Sequence, residues 1–194
     1  MSVEQIKAQV EASIAVKQTL LADGGLLLQI EKLAQACLAS LKAGGKIIFA
    51  GNGGSFADAQ HLSAEFTSRF LFDRAPLASL VLAANNSAIS AIGNDYGYEF
   101  VFAREIEALA KPEDVFIAIS TSGNSANILM AVKVARARGV STFGWTGARG
   151  GKLGDACECL RIPSDETARI QECHILVGHI LCGLVEAQYF QKAN

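Results

Sequence analysis

Lys46-Ile47-Ile48-Phe49-Ala50-Gly51-Asn52-Gly53-Gly54-Ser55 is an apolar run closed by a glycine-rich loop, and residues 56–70 continue from it with helical character. The same grammar returns in Val115-Phe116-Ile117-Ala118-Ile119-Ser120-Thr121-Ser122-Gly123-Asn124-Ser125, which opens a helical stretch over residues 126–138. Both read as strand, loop, helix. Such junctions suit phosphate: glycine lets the backbone approach an anion closely, the first N–H groups of a helix lack intrahelical partners, and hydroxyls add donors. Neither loop contains Lys or Arg, so an anion held there would rest on neutral donors and helix dipoles.

Working outward, strand-like runs at residues 46–50, 78–83, 115–120, 140–146 and 158–162 alternate with helical ones. This βαβ rhythm predicts an α/β fold with a parallel sheet of five strands and helices on both faces. Before it, Val3, Ile6, Val10 and Ile14 recur at helical spacing, and a second helix is expected over residues 26–41, after Gly24-Gly25. The first helix has a narrow apolar stripe with no partner evident in sequence, so it packs on its own domain or on another subunit, and the reading favours a subunit contact. Residues 167–188 read as one long, largely buried helix. The economical organisation is a single domain over residues 1–194, with residues 1–43 as an N-terminal helical extension used in oligomer packing.

Composition narrows the function. A chain of 194 residues with 51% hydrophobic and 19% charged residues can bury a sizeable core. Its formal net charge of -2 offers no polycationic surface, so no nucleic acid partner is expected. The N-terminus lacks the basic then apolar run of a secretory signal, and the oily stretch at residues 175–185 is interrupted by His179 and too short to span a bilayer. A cytoplasmic protein without membrane attachment is expected. The five cysteines, Cys37, Cys157, Cys159, Cys173 and Cys182, are scattered and odd in number, as free thiols in a reducing compartment would be. Cys157-Glu158-Cys159 has no second pair to complete a metal site, and alternating strand positions explain it better.

Chemistry-bearing residues lie just beyond the loops. Ser55, three residues before Asp58, has the spacing of a helix cap. On the helix that follows, His61 and Glu65 stand four apart and share a face, a geometry that binds a metal or holds an acid/base pair. A plain His61–Glu65 hydrogen bond, a Glu65–Arg69 ion pair and a solvated polar face compete with that reading. The loop upstream shifts the balance, because ligands of open parallel sheets bind beyond the carboxyl ends of the strands. In the terminal helix, Gln171, His174 and His179 are polar groups in apolar company and need partners. Locally, His179 reads first as a hydrogen-bonded core residue. Gln171 and His179 are eight residues apart, about 12 Å along the axis, so a shared ligand requires both to lean toward it or a neighbouring subunit to supply one.

Taken together, Gly51-Asn52-Gly53-Gly54-Ser55, Asp58-Ala59-Gln60-His61 with Glu65 and Arg69, Ile92-Gly93-Asn94-Asp95-Tyr96-Gly97, the 120–125 loop, Thr146-Gly147 with Gly150-Gly151, and Ile170-Gln171-Glu172 with His174 and His179 resemble the sugar isomerase (SIS) family, and within it the phosphoheptose isomerases. The resemblance covers about residues 40–190. It implies a flavodoxin-like sheet, a homotetramer with active sites between subunits, and one zinc ion per subunit held by His61, Glu65, Gln171 and His179. It implies that Ser120, Thr121, Ser122 and Ser125 cradle the phosphate of a phosphorylated seven-carbon sugar, that Asn52, Gly53, Gly54, Ser55, Arg69, Asn94, Asp95 and Gln171 also contact the substrate, and that Glu65 and His179 carry the acid and base roles.

The reaction so implied is conversion of D-sedoheptulose 7-phosphate to D-glycero-D-manno-heptose 7-phosphate through an enediol, the first step of ADP/GDP-heptose synthesis for lipopolysaccharide or capsule. The alternative is a non-catalytic SIS tetramer that binds the replication initiator protein; such relatives lack the groups seen here at Glu65 and His179. Two departures stand out. Asn85-Asn86-Ser87 occupies the place where relatives usually carry Asp, which bears on a local cap, and Trp145 is bulky beside Thr146-Gly147, where a core aromatic at a strand end is expected.

Overall fold

A computed structural model describes residues 2–191 of the chain; the outermost residues of the domain expected over 1–194, residue 1 and residues 192–194, lie outside the described part. Five strands form a wholly parallel sheet: β1 (Ile47–Ala50), β2 (Ser79–Val81), β3 (Val115–Ile119), β4 (Ser141–Thr146) and β5 (Glu158–Arg161). Their order is β2-β1-β3-β4-β5, with Ile47 beside Ser79 and Val115, Val115 beside Ser141, and Phe143 beside Glu158. This is the flavodoxin-like order, and it reverses direction between β1 and β3. Both glycine-rich loops leave the sheet at that crevice.

The helices are α1 (Val3–Ala22), α2 (Gly24–Lys42), α3 (Gly54–Thr67), α4 (Asn86–Asp95), α5 (Ala103–Leu109), α6 (Ala126–Ala137), α7 (Gly151–Ala156) and α8 (Thr167–Tyr189), with a short 3-10 turn at Tyr98–Phe100. Strand alternation divides the core in two. Ile47, Phe49, Val115, Ile117 and Ile119 face α2, α3 and α8, whereas Ile48, Ala50, Phe116 and Ala118 face α5, α6 and α7. Asp114, wholly buried, ties the strand starts together: it accepts from the Lys46 backbone N–H (2.9 Å) and the Lys111 N–H (2.8 Å), and pairs with Lys46 Nζ (2.6 Å).

The elements follow the sequence reading, with corrections at three ends. Gly24 and Gly25 begin α2 instead of preceding it, because Asp23 caps the helix by accepting from the Leu26 N–H. Ser55 does not cap α3. Gly53 holds the cap position at φ 55°, a conformation that favours glycine, and this turns the chain one residue early and leaves Ser55 buried in the first turn. At α4 the Asn85 side chain accepts from the Ser87 and Ala88 N–H groups, so the amide oxygen does the work of the expected carboxylate.

α8 has 23 residues and is apolar enough by composition to cross a bilayer. Its faces are instead committed to the core, where Ile170, Cys173, Val177, Leu181 and Val185 are buried. α1 lies on α8 through polar contacts: Ser13 Oγ donates to Glu172 (2.6 Å), and Arg169 donates to the Gln9 carbonyl (2.9 Å) and pairs with Glu172 (3.1 Å). That leaves the stripe of Val3, Ile6, Val10 and Ile14 facing outward, each about half exposed or more.

Candidate functional site

α3 and α8 run side by side and bring the chemistry together. His61 and Glu65 share the face of α3 turned to α8, and His179 comes from α8. His61 Nε2 lies 3.0 Å from Glu65 Oε1 and 3.2 Å from His179 Nε2. One ligand atom from each of the three lies within 4.8 Å of the others. Phe70, in the turn after α3, stacks on the His179 ring at 5.5 Å. The approach of the two helices depends on Gly178: a Cβ there would sit 2.4 and 2.5 Å from the methyl carbons of Leu62, which is fully buried.

Two imidazole nitrogens aimed at one another beside a carboxylate oxygen form a donor set that fits a borderline cation such as zinc. A further carboxylate lies on the same helix outside this set. Asp58, one turn before His61, keeps a buried Oδ2 without a hydrogen-bond partner, and burial raises its carboxyl above the ordinary range, against the lowering effect of a charge on His61. Gln171 sits elsewhere in the protomer. Its amide packs over Gly54, whose Cβ would lie 2.6 Å from Gln171 Nε2; Gly54 precedes His61 by seven residues, about 10 Å along α3.

The second loop forms a different wall. Ser120 Oγ and Ser125 Oγ are 3.1 Å apart, and Ser125 makes no side-chain cap bond, so both hydroxyls turn into the loop. A cavity of about 260 Å³ opens beside it, lined by Thr121, Ser122, Asn124, Gly147, Arg149, Asp165, Thr167 and Ile170. Gly123, at φ 65°, packs so tightly on the next loop that a Cβ would lie 1.9 Å from the Gly150 carbonyl oxygen. The loop after β1 lines its own cavity of about 110 Å³ with Gly51, Asn52, Gly53, Phe56, Ala83 and Tyr98. The two loops are joined. Asn52 and Asn127 exchange amide hydrogen bonds in both directions, each 2.9 Å, and Asn127 is buried. Tyr98 Oη also donates to Asn52 Oδ1 (3.4 Å).

The remaining expected residues fall outside these walls. Asn94 and Asp95 end α4, hydrogen-bonded to each other (2.7 Å) on an exposed hollow shared with Asn86, Ser87 and Ser90. Arg69 is exposed beyond the end of α3. That turn is built by Glu186 of α8, which accepts from the Phe70 (2.9 Å) and Leu71 (2.8 Å) N–H groups and from Arg74 Nε (2.8 Å). Burial alone would raise the Glu186 carboxyl; the Leu71 and Phe70 N–H groups and the Arg74 guanidinium outweigh it and hold it below its ordinary value. Arg74 also donates to the Glu65, Phe66 and Ser68 carbonyls, closing the C-terminal end of α3. His174 is a core residue, 3.3 Å from the Thr146 carbonyl oxygen and beside the fully buried Trp145, and burial pushes its pKa down to about 4.

Sequence reasoning missed Asn127, Tyr98 and Arg149. Asn127 carried a usable signal, two residues past Ser125 at a helix start. Arg149 belongs to the loop after β4, and only folding places it at the rim of the cavity beside Thr121 and Ser122, where its guanidinium pairs with Asp165 (3.1 Å).

A model of the SIS domain matches residues 12–147. A phosphoheptose isomerase of Aneurinibacillus thermoaerophilus is 50% identical over 190 residues, covering 97% of this chain and 96% of that protein. Among solved structures, a phosphoheptose isomerase from Neisseria gonorrhoeae superposes with a TM-score of 0.87 at 41% identity, covering 95% of this chain and 98% of that one. One from Francisella tularensis gives 0.89 at 36% identity, with 96% and 98% covered.

Proposed function

The chain belongs to the SIS domain family, and from that premise we propose that it is a phosphoheptose isomerase interconverting D-sedoheptulose 7-phosphate and D-glycero-D-manno-heptose 7-phosphate. The observation that carries this reading is the convergence of Glu65 and His179, 114 positions apart in the chain, on one point with His61. A protein that only bound a partner would have no use for a carboxylate and two imidazoles so placed.

Ketose-aldose exchange removes a proton from the carbon beside the carbonyl and returns it to the neighbouring carbon. Glu65 serves one side of the enediol and His179 the other, one moving the carbon-bound proton and the other the hydroxyl proton. With no metal bound, His61 Nε2 lies 3.0 Å from Glu65 Oε1 and steadies the carboxylate. Zinc bound by His61, Glu65 and His179, with Gln171 completing the set, would polarise the carbonyl and keep the two substrate oxygens cis. The loop hydroxyls of Ser120, Thr121, Ser122 and Ser125 hold the phosphate, Asn52, Gly53, Gly54 and Ser55 face the sugar, and Arg149 adds a cation at the rim. Remote phosphate binding then positions the reacting carbons.

Thr167 and Ile170 line the phosphate cavity at the start of α8, whereas His179 is nine residues beyond Ile170, about 13 Å along the helix. A homotetramer with sites between subunits brings these walls to one substrate, with Arg69, Asn94, Asp95 and Gln171 entering across the interface. The outward stripe of α1 supports this assembly, since residues 1–43 then cover their apolar face against another subunit. Residues 1–194 act as one SIS domain, cytoplasmic, supplying the first step of heptose synthesis for lipopolysaccharide or capsule.

The test is direct. Purified protein incubated with sedoheptulose 7-phosphate yields the aldose phosphate, Glu65→Gln and His179→Gln each abolish turnover, and light scattering gives a tetramer. Absence of turnover by zinc-loaded wild-type tetramer would overturn the reading.

A further inference from the structure

Cys157 and Cys159 place their sulfurs 4.0 Å apart, and nothing in the proposed isomerisation uses them. Cys157 ends α7 in an extended conformation (φ -154°, ψ 173°), and Cys159 follows in β5, so two residues of extended chain return both side chains to one sheet face. Both thiols donate to the Leu153 carbonyl, at 3.7 and 3.4 Å. Space for the pair is left by Gly144, opposite Cys159 on β4: a Cβ there would sit 2.3 Å from the Cys159 sulfur and 3.2 Å from the Cys157 sulfur.

Cys157 also differs from the other cysteines in access. Cys37, Cys159, Cys173 and Cys182 are buried, whereas Cys157 is half-buried. With Cys159, Glu158, Arg161 and Gly154 it lines a hollow of about 490 Å³ that opens toward Asp23 and Gln29. The electrostatics separate the two thiols. The Cys157 hydrogen bond lowers the Cys159 pKa, helped by Arg161 and the Gly144 backbone and opposed by burial and Glu158. The same bond, then burial, raises Cys157. Of the two thiols, Cys159 is therefore the one whose ionisation its surroundings favour.

We propose that Cys157 and Cys159 are a redox-active dithiol that closes to an intrachain disulfide on exposure to peroxide and reopens with a small thiol. The Cys159 thiolate attacks one peroxide oxygen; the O–O bond breaks, the departing hydroxide takes up a proton as water, and Cys159 becomes a sulfenic acid. Cys157 then attacks that sulfur, the S–S bond forms, the S–O bond breaks, and the leaving hydroxide takes the Cys157 proton as a second water. Two thiols lose two electrons and peroxide gains them. Residues two apart in an extended chain have Cα atoms about 6.6 Å apart, near the upper limit for a bridge, so the bond is tense and readily reduced. That makes a reversible sensor and not a permanent staple.

Trypsin releases both cysteines in one peptide, residues 153–161, which makes the test clean. Folded protein exposed to stoichiometric hydrogen peroxide, alkylated with iodoacetamide and digested, is expected to yield this peptide lighter by two hydrogens and unalkylated; dithiothreitol restores two alkylatable thiols. Cys157→Ser leaves a sulfenic acid on Cys159 that dimedone traps. Full alkylation of both cysteines after peroxide, a bridge from either one to a different cysteine, or oxidation of wild type to sulfinic acid without bridging would overturn the proposal.

Discussion

Gly178→Ala tests whether the α3–α8 approach creates the reactive cluster. The added Cβ would lie 2.4, 2.5 and 3.0 Å from the Leu62 Cδ2, Cδ1 and Cγ atoms, whereas carbon atoms rest at about 3.5–4.0 Å. Leu62 is fully buried, so its methyl groups have no open side to swing into, and roughly 1 Å must come from parting the helices. Overpacking of this kind costs about 1–3 kcal/mol, and replacing a helical glycine returns about 0.5–1 kcal/mol, so net destabilisation stays below about 2.5 kcal/mol. Catalysis is hit harder. His179 is the next residue and moves with the helix, and a displacement near 1 Å costs on the order of a hundredfold in rate. Turnover of sedoheptulose 7-phosphate by Gly178→Ala should therefore fall ten- to a hundredfold, with a melting temperature only a few degrees lower. Leu62→Ala added to the same chain should return part of the lost kcat by vacating the contested volume. A Gly178→Ala enzyme with kcat within twofold of wild type would refute the argument, because the close contact would then have no bearing on the position of His179.

Other expectations follow from buried charge and from the cavity rim. Glu186→Gln leaves the Arg74 guanidinium, 2% exposed, without its counter-charge; the cost is roughly 3 kcal/mol, read as a melting temperature about 10 °C lower. His174 is held neutral by burial to about pH 4, while an unfolded chain protonates it near its ordinary 6.5. In that window the unfolded state binds the extra proton, so stability falls as pH drops from 6.5 to 4, by roughly 3 kcal/mol in all. Urea unfolding of His174→Asn should show this slope removed, and an unchanged slope would place the acid sensitivity elsewhere. Arg149→Met should raise KM for the phosphorylated sugar roughly three- to tenfold with kcat unchanged, about the value of one exposed charge contact, and the difference should shrink at high salt. An unaltered KM would show that Arg149 serves only its pair with Asp165.

The sheet and its helices were legible because their signals are local. Apolar runs ended by Gly-Asn-Gly-Gly-Ser and Ser-Thr-Ser-Gly-Asn-Ser can be placed without knowing the neighbours, and the i,i+4 pairing of His61 and Glu65 is a property of one helix. Conformation at a single residue was less legible: Ser55 has the composition of a cap, yet the positive φ available to Gly53 moves the helix start. Long-range placement was least legible. Nothing near Arg149 speaks of the 120–125 loop, and the reciprocal amide bonds of Asn52 and Asn127 join residues 75 positions apart. The contact of Glu186 with the turn after α3 spans 116 positions. Packing decides these, and packing is a property of the closed fold.

The Asn52–Asn127 bridge has a mechanical consequence. Asn127 belongs to the first turn of α6, immediately behind the hydroxyl-rich loop, and Asn52 belongs to the glycine loop of the adjoining strand. With both amides bonded to each other, the two loops are fixed relative to one another, so in the proposed isomerase the wall that grips the phosphate and the wall that faces the sugar share one rigid mount.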